Sequence, residues 1–456
     1  MSEKTSTRGW SSNYVFLLAS IGSTVGLSNI WKFTYLAGEN GGGAFVLIYL
    51  ASLVVMGIPI LGAELMIGKR GGRSMVGTLT VMAARDGLHP AWKYFGWIAM
   101  AGVFLILSFY SVIAGWTLDY TVSSFAGRLG NLDATSAVSF YNRLLEDPIR
   151  MMIGQGVFVI ATVWIVAMGI QDGLERSIRW MMPALFIILV ALVIYAMFAG
   201  EFAQALAFMF MPDFSKVTSS TVLMAFGQAF FSLGIGVGVM LTYGAYMAPT
   251  TNVLRSAVII AFSDGLASML GGLAIFPIVF QYNLSPGEGP GLIFMTLPIA
   301  FGQMPGGGQV GALFFLLLLV AALTSSISLL ESIIAHLEVA VNMTRKKISI
   351  IAGVLLWVIG LGTVFSFNIW KEFTPISGIA SLRGKTFFGL LDYFSSNLLM
   401  PVGGILMAVI AGWLLPKTVC REELNVSSAR AFMLWRFLIR YVAPLAVLGI
   451  FLSNLG

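Results

Sequence analysis

The sequence predicts an all-α integral membrane protein of about eleven transmembrane helices, on three observations. The 456 residues are 58% apolar and only 10% charged, with a mean hydropathy of +0.91, against roughly 45–50% apolar and about 25% charged in soluble domains. Apolar stretches of the length needed to cross the hydrocarbon layer, about 20 residues, recur from Tyr14 to Leu455. The basic residues behind the net charge of +6 are scattered through short loops between those stretches, so they read as topology signals rather than a nucleic-acid surface. A single cysteine, Cys420, excludes an intramolecular disulfide and a Cys/His metal or redox cluster. No hydrolytic Ser/His/Asp set or nucleotide loop is visible, so no enzyme is expected. Met1–Gly9 is polar with no cleavage site ahead of the first apolar run, so the N-terminus is expected to be retained.

Taken in order, apolar spans fall at about Asn13–Ala37, Ala44–Ile67, Trp92–Phe125, Met152–Ile170, Ile178–Ala199, Leu223–Met247, Val253–Tyr282, Val310–Val341, Ile348–Trp370, Phe387–Leu415 and Phe432–Leu452. Pro290–Pro305 is apolar but short and bounded by Gly and Pro, so it reads as a lid-like hairpin within a loop of about 286–308. With a cytoplasmic N-terminus, sixteen Lys and Arg fall in inner loops (Lys4, Arg8, Lys69, Arg70, Arg73, Arg85, Lys93, Arg176, Arg179, Arg255, Arg345, Lys346, Lys347, Lys417, Arg421, Arg430). Only Arg128, Arg143, Arg150, Lys216, Lys371, Arg383 and Lys385 fall outside, which satisfies the positive-inside rule. An odd number of spans then puts Gly456 outside.

Two spans are peculiar in the same way. The first carries Gly22-Ser-Thr-Val-Gly-Leu-Ser-Asn29 and the sixth Ser232-Leu-Gly-Ile-Gly-Val-Gly238. Each glycine weakens a helix interior by about 1 kcal/mol relative to alanine, so both helices are expected to break there. The breaks lie five spans apart, which makes helices one to five (13–199) and six to ten (200–415) candidate repeats, after a cytoplasmic segment (1–12) and before an inner loop and helix eleven (416–456). Paired Gly-interrupted helices in two halves point to a carrier's binding site, whereas one cluster alone would be explained by close packing through small residues.

A break must be satisfied by something polar. The half-helix ending near Gly22–Val25 offers carbonyls to a cation; the half starting near Leu27–Ser28 offers N–H groups to an anion. A zwitterionic amino acid with sodium fits that pair. The eighth span adds Thr324, Ser325 and Ser326 in an apolar run, which alone would read as hydroxyls bonded to their own helix. Ionisable groups at membrane depth are costly and usually functional: Asp264, Glu64, Glu331 and Lys32, with His336 and Glu338 near the cytoplasmic end. The fifth span holds Gly173 and, ten positions on, Pro183, a spacing that invites unwinding at the cytoplasmic end but also fits an ordinary helix start.

The runs Gly22-Ser-Thr-Val-Gly-Leu-Ser-Asn29-Ile-Trp-Lys-Phe33, Glu39-Asn-Gly-Gly-Gly-Ala-Phe45 and Leu323-Thr-Ser-Ser-Ile327 resemble the neurotransmitter:sodium symporter family over most of the chain. The resemblance implies a LeuT-like 5+5 inverted repeat with helices 1 and 6 broken, and alternating access. It implies a first sodium site at Thr24, Asn29, Ser232 and Asp264, and a second at Gly22, Val25, Ala321, Thr324 and Ser325. Substrate carboxylate would meet the N–H groups of Leu27 and Ser28 beside Gly26 and the Tyr110 hydroxyl. The ammonium would meet carbonyls around Thr24, Phe231 and Ser232, with Ser325 nearby, and Ile106, Tyr110, Phe231, Val237 and Leu329 would form the apolar subpocket. Gates are implied at Trp10, Tyr246 and Arg8 with Glu338 inside, and at Lys32 with Asp392 outside.

This sequence departs from the family pattern in informative places. Gly26 stands where monoamine carriers have aspartate, which favours a substrate bearing its own carboxylate. Val237 and Gly234 stand where the leucine-carrying branch has phenylalanine and serine, which makes room for aromatic side chains. The chloride neighbourhood of the family matches Tyr49, Gln228, Ser232 and Ser268, but Asp264 offers a fixed negative charge beside it, so chloride is not expected to be required. The sequence therefore predicts a sodium-coupled symporter of hydrophobic L-amino acids using two sodium ions. An amino-acid sensor of the same architecture and a proton-coupled carrier are the alternatives; the Thr, Ser and carbonyl set does not titrate, which speaks against protons. Lipid is the expected surrounding partner and nucleic acid is not one.

Overall fold

The computed structural model describes residues 9–130, 132–286, 291–376 and 378–455. Among them every regular element is helical. Among the described residues nine helices are long and apolar enough to cross a membrane: Gly43–Gly71, Trp92–Phe125, Pro148–Ala167, Ile170–Ala199, Val253–Gln281, Gly307–Ala340, Arg345–Phe365, Phe387–Leu414 and Ala429–Ser453. Asn13–Thr24 and Ser28–Glu39 make a tenth span bent by 52°. Ser219–Ser232 and Val239–Ala245 make an interrupted sixth span, which brings the passages to the expected eleven.

Capping sets where these helices start, and hydropathy does not report it. The fourth span begins at Pro148, four residues before the apolar run, because the Asp147 carboxylate accepts from Arg150 N at 3.0 Å and proline is already set for a first helical turn. Asn252 caps the seventh span in the same manner, accepting from Arg255 N at 2.9 Å. The fifth span starts eight residues earlier than its apolar run, with a π-turn at Ile170–Glu175. The segment expected as a lid is a short buried helix, Leu292–Gln303; Phe294 packs edge-on to Trp31, Trp116 and Tyr120, and the Tyr120 hydroxyl donates to its carbonyl at 2.7 Å.

The third and eighth spans, 34 residues each, pack against one another through the centre of the molecule. The broken first span lies against the eighth and seventh spans, and the broken sixth against the second and the eighth. Arg70 bonds Asp86 at 2.8 and 2.5 Å and Glu423 at 3.0 Å, tying the end of the second span to two short surface helices, Met75–Asp86 and Lys417–Leu424. Burial pushes the Asp86 carboxyl up, but the Arg70 and Arg85 guanidiniums outweigh it and hold it below the ordinary range.

Candidate functional site

The first break is built by a side chain. In a continuous helix the Gly26 N–H would bond the Gly22 carbonyl; here it donates to Asn29 Oδ1 at 2.9 Å. The Asn29 N–H likewise turns to the Gly26 carbonyl at 3.2 Å rather than to Val25. Gly22 and Val25, the two carbonyls expected at the second sodium site, thus lose their helical donors. Thr324 and Ser325 lie opposite: the Ser325 hydroxyl is buried without a hydrogen-bond partner, while Thr324 bonds back to the Ala321 carbonyl at 3.0 Å. A ring of carbonyl and hydroxyl oxygens suits a hard cation.

The sixth break is built by backbone. Gly234, Gly236 and Gly238 have φ of +59°, +91° and +75°, conformations that only glycine adopts at low cost. The Gly236 N–H donates to the wholly buried Glu64 at 2.6 Å, so a carboxylate from the second span holds the unwound segment open. Glu64 was legible only as an ionisable residue at membrane depth, because nothing local links it to a partner 172 positions away. A β-carbon on Gly234 would meet nothing within 4 Å, so that residue borders open space.

Asp264, Asn29 and Ser232 come together in one buried cluster. Asn29 Nδ2 donates to Asp264 Oδ1 at 2.8 Å and to Ser232 Oγ at 3.2 Å; Ser232 and Tyr49 also donate to the Asp264 carboxylate, Tyr49 at 3.1 Å. Ser268 joins through Tyr49 at 3.0 Å. The carboxylate therefore sits among the Tyr49, Ser232 and Ser268 hydroxyls that the resemblance assigns to chloride. Gln228 does not join them, because its amide donates to the Ser28 carbonyl at 2.9 Å. Thr24, also expected here, turns its hydroxyl to the Ile21 carbonyl at 3.2 Å.

Between the breaks, the buried Tyr110 hydroxyl lies beside Ser325 and the Leu27 N–H without a hydrogen bond of regular geometry. Gly26 faces the same hydroxyls: a β-carbon there would stand 2.7 Å from Ser325 Oγ and 3.5 Å from Tyr110 OH. Ile106 and Val237 are buried, and Phe231 and Leu329 are partly so.

The gates differ from expectation. Lys32 makes no ion pair with Asp392 among the described residues; its ammonium lies over the Phe231 ring at 4.0 Å, and Asp392 accepts from Ser396 at 3.0 Å. A flexible ammonium finds a ring face as readily as a carboxylate, since it lacks the planar fork of arginine. Arg8 lies outside the described residues. Glu338 accepts from Arg345 at 3.2 Å, and the same guanidinium binds the buried Glu331, which also accepts from the Tyr246 hydroxyl at 3.0 Å. Arg345 was read only as a topology charge. Trp10 packs on the end of the sixth span, its indole N–H on the Tyr243 carbonyl at 3.1 Å and its backbone N–H on the Tyr246 carbonyl at 3.2 Å. Gly173 stands in the π-turn of the fifth span, where a β-carbon would collide with the Ile165 carbonyl. Pro183 lies within the helix that follows. Gly173 is thus also a packing glycine against the fourth span, beyond any lowered cost of opening.

Two interrupted helices, each facing buried hydroxyls and a carboxylate at membrane depth, define a secondary-carrier architecture. Comparison makes the assignment particular. The profile of the Sodium:neurotransmitter symporter family matches residues 7–142 and 147–456. An uncharacterized sodium-dependent transporter, YhdH, of Bacillus subtilis (strain 168) is 37% identical over 98% of this chain and 97% of its own length. An uncharacterized sodium-dependent transporter of Haemophilus influenzae is 34% identical over 98% of each. The crystal structure of MhsT in complex with L-phenylalanine superposes with a TM-score of 0.89 at 38% identity, covering 98% of this chain and 99% of that one. The chain belongs to the sodium:neurotransmitter symporter family, as a multi-pass sodium-coupled carrier with the LeuT-like fold and not an enzyme.

Proposed function

We propose that this carrier takes up hydrophobic L-amino acids, aliphatic and aromatic, with two sodium ions and without a requirement for chloride. The observation that carries the reading is the pairing of Gly26 with Ser325 and Tyr110. Gly26 itself carries no carboxylate and faces the Ser325 and Tyr110 hydroxyls, while the half-helix N–H groups and the Tyr110 hydroxyl offer donors. The substrate must then bring its own carboxylate, and that group can complete the first sodium site with Asn29, Thr24, Ser232 and Asp264. Gly22, Val25, Ala321, Thr324 and Ser325 hold the second ion. The Asp264 carboxylate supplies the negative charge that chloride supplies elsewhere.

The two halves, 13–199 and 200–415, each contribute one broken helix, and the helix Leu292–Gln303 covers the outer side. The excess of Lys and Arg on one side orients the N-terminus to the cytoplasm and the C-terminus outside. The bound L-phenylalanine of MhsT supports an amino-acid substrate of this class here.

Radiolabelled uptake into proteoliposomes, with sodium, lithium, potassium and pH gradients imposed one at a time, tests the reading. Concentrative uptake of leucine, phenylalanine or tryptophan under an inward sodium gradient alone is expected, unchanged when gluconate replaces chloride. Uptake driven by a pH gradient without sodium would make the protein a proton-coupled carrier. Sodium-dependent binding without any uptake would make it a sensor.

A further inference from the structure

We propose that Arg440 and the two rings that flank it form a binding site for the head group of an anionic phospholipid, at the seam between the tenth and last spans. Arg440 lies inside the last span, Ala429–Ser453, where its Cα is 3.2 Å from the point where a β-carbon on Gly412 would stand. Gly412 belongs to the final turn of the tenth span, which ends at Leu414 and is followed by Pro416 and Lys417. The guanidinium is therefore level with a span end, where head groups begin, and not with the middle of the bilayer. It lies 5.7 Å from the centroid of the Trp413 ring and 5.6 Å from that of Tyr441, both exposed on the outside of the bundle. Tryptophan and tyrosine favour the head-group level because each has an apolar body and a polar tip.

A charge so placed requires an anion, and the surrounding helices supply none. No aspartate or glutamate occurs between Tyr393 and Arg421, nor from Leu424 to the end of the sequence; Asp392 stands at the opposite end of the tenth span. Two other spans pack against the last one. The outer half of the sixth, Ser219–Ser232, has no acidic residue, and Glu64 of the second is committed to the Gly236 N–H. Among the described residues the Arg440 guanidinium makes no hydrogen bond or ion pair, and its Nε is buried without a partner. Arg436 shows the contrast: it donates to the Ala411 and Leu415 carbonyls at 2.7 and 3.1 Å and to Cys420 Sγ at 3.1 Å, which caps the end of the tenth span. Four positions apart, the two arginines would share a helix face. The π-turn at Leu438–Val442, set against its counterpart Ile410–Leu414, turns them to different neighbours. Arg436 thus serves the fold, while Arg440 keeps its donors at the lipid surface. A planar guanidinium matches the oxygens of a phosphate, and an anionic head group brings a net charge that a zwitterionic one lacks. The tenth span also packs closely on the sixth break, Gly403 against Gly236, so the bound head group braces the helix behind the substrate site.

Native mass spectrometry reads the site, with purified transporter released from micelles that hold equal amounts of phosphatidylglycerol and phosphatidylcholine. Wild type is expected to retain one phosphatidylglycerol several-fold more often than phosphatidylcholine. Arg440→Gln should lose that preference and Arg440→Lys should keep part of it. Equal retention of the two lipids by wild type, or an undiminished preference in Arg440→Gln, would overturn the proposal. Displacement of the lipid by millimolar inorganic phosphate would overturn it too, by making the ligand a free anion. The unaltered protein gives a second reading that no folding defect obscures. In nanodiscs, phosphatidylglycerol carrying a diazirine on its head group is photolysed and the labelled peptides are identified. Label is expected on the peptides holding Trp413 and Tyr441, several-fold above that from the phosphatidylcholine analogue; label absent from those peptides, or equal for the two lipids, would place the head group elsewhere and sink the site.

Discussion

The two broken helices reach the same outcome by different means. At the first break a side chain reroutes the backbone: Asn29 takes the Gly26 N–H and turns its own N–H to Gly26, leaving two carbonyls for an ion. At the sixth, three glycines in left-handed conformations carry the chain through, and a carboxylate from another span caps one of them. The first break is consequently chemical and the sixth geometrical. Substitutions in the first should change what is bound, and substitutions in the sixth should change whether the fold forms.

The sharpest way to break that distinction is a matched pair of alanines. Gly236→Ala places a β-carbon against the Met400 carbonyl at a φ of +91°, a clash with backbone that nothing can relieve, on top of roughly 1–2 kcal/mol of intrinsic strain. We expect loss of folded, detergent-stable protein by size-exclusion chromatography. Gly26→Ala meets only the Ser325 hydroxyl and Tyr110, which can turn aside, so folded yield should stay near wild type while sodium-dependent leucine binding falls sharply. Similar losses of folded protein in both would erase the contrast between the breaks.

Asp264 belongs to the chemical side. Asp264→Asn keeps the shape of the cluster around Tyr49, Ser232 and Ser268 but removes its fixed charge. Uptake is expected either to stop or to become chloride-stimulated; uptake that stays at the wild-type rate and indifferent to chloride would count against both of its roles. A smaller effect is expected one step away: Thr324→Ala with Ser325→Ala removes two neutral oxygens, so the sodium concentration for half-maximal uptake should rise several-fold with little change in folded yield. An unmoved sodium dependence in vesicles would leave the second site without its hydroxyls.

How legible these features were in the sequence follows the same line. The breaks themselves were visible, because glycine clusters inside apolar runs are local signals, as were the hydroxyls Thr324 and Ser325 and the isolated Asp264. What pairs with what was not. Glu64 with Gly236, and Lys32 over the Phe231 ring, are matches between residues about 170 to 200 positions apart that only the packed fold brings together. Arg345 illustrates the same limit: its charge reads as a topology signal until Glu331 is seen beside it. Span ends moved by up to eight residues for a third reason. Caps such as Asp147 and a π-turn such as Ile170–Glu175 are polar, so a hydropathy reading passes over them.

The smallest expected effect concerns selectivity, and it tests whether the geometrical break also shapes the pocket. Val237 lies between Gly236 and Gly238, whose conformations fix the backbone on both sides of it, so its buried side chain cannot swing aside to admit a larger one. Gly234 meanwhile faces open space. If Val237 forms the wall of the apolar subpocket, Val237→Phe shortens the space available to a ring more than that needed by a branched aliphatic chain. The difference in a hydrophobic pocket is of the order of 1–3 kcal/mol. Competition against radiolabelled leucine should therefore show tryptophan weakened more than leucine itself, with sodium dependence unaltered. Equal weakening of the two would mean that Val237 faces away from the substrate, and that the glycines of the sixth break serve the backbone alone.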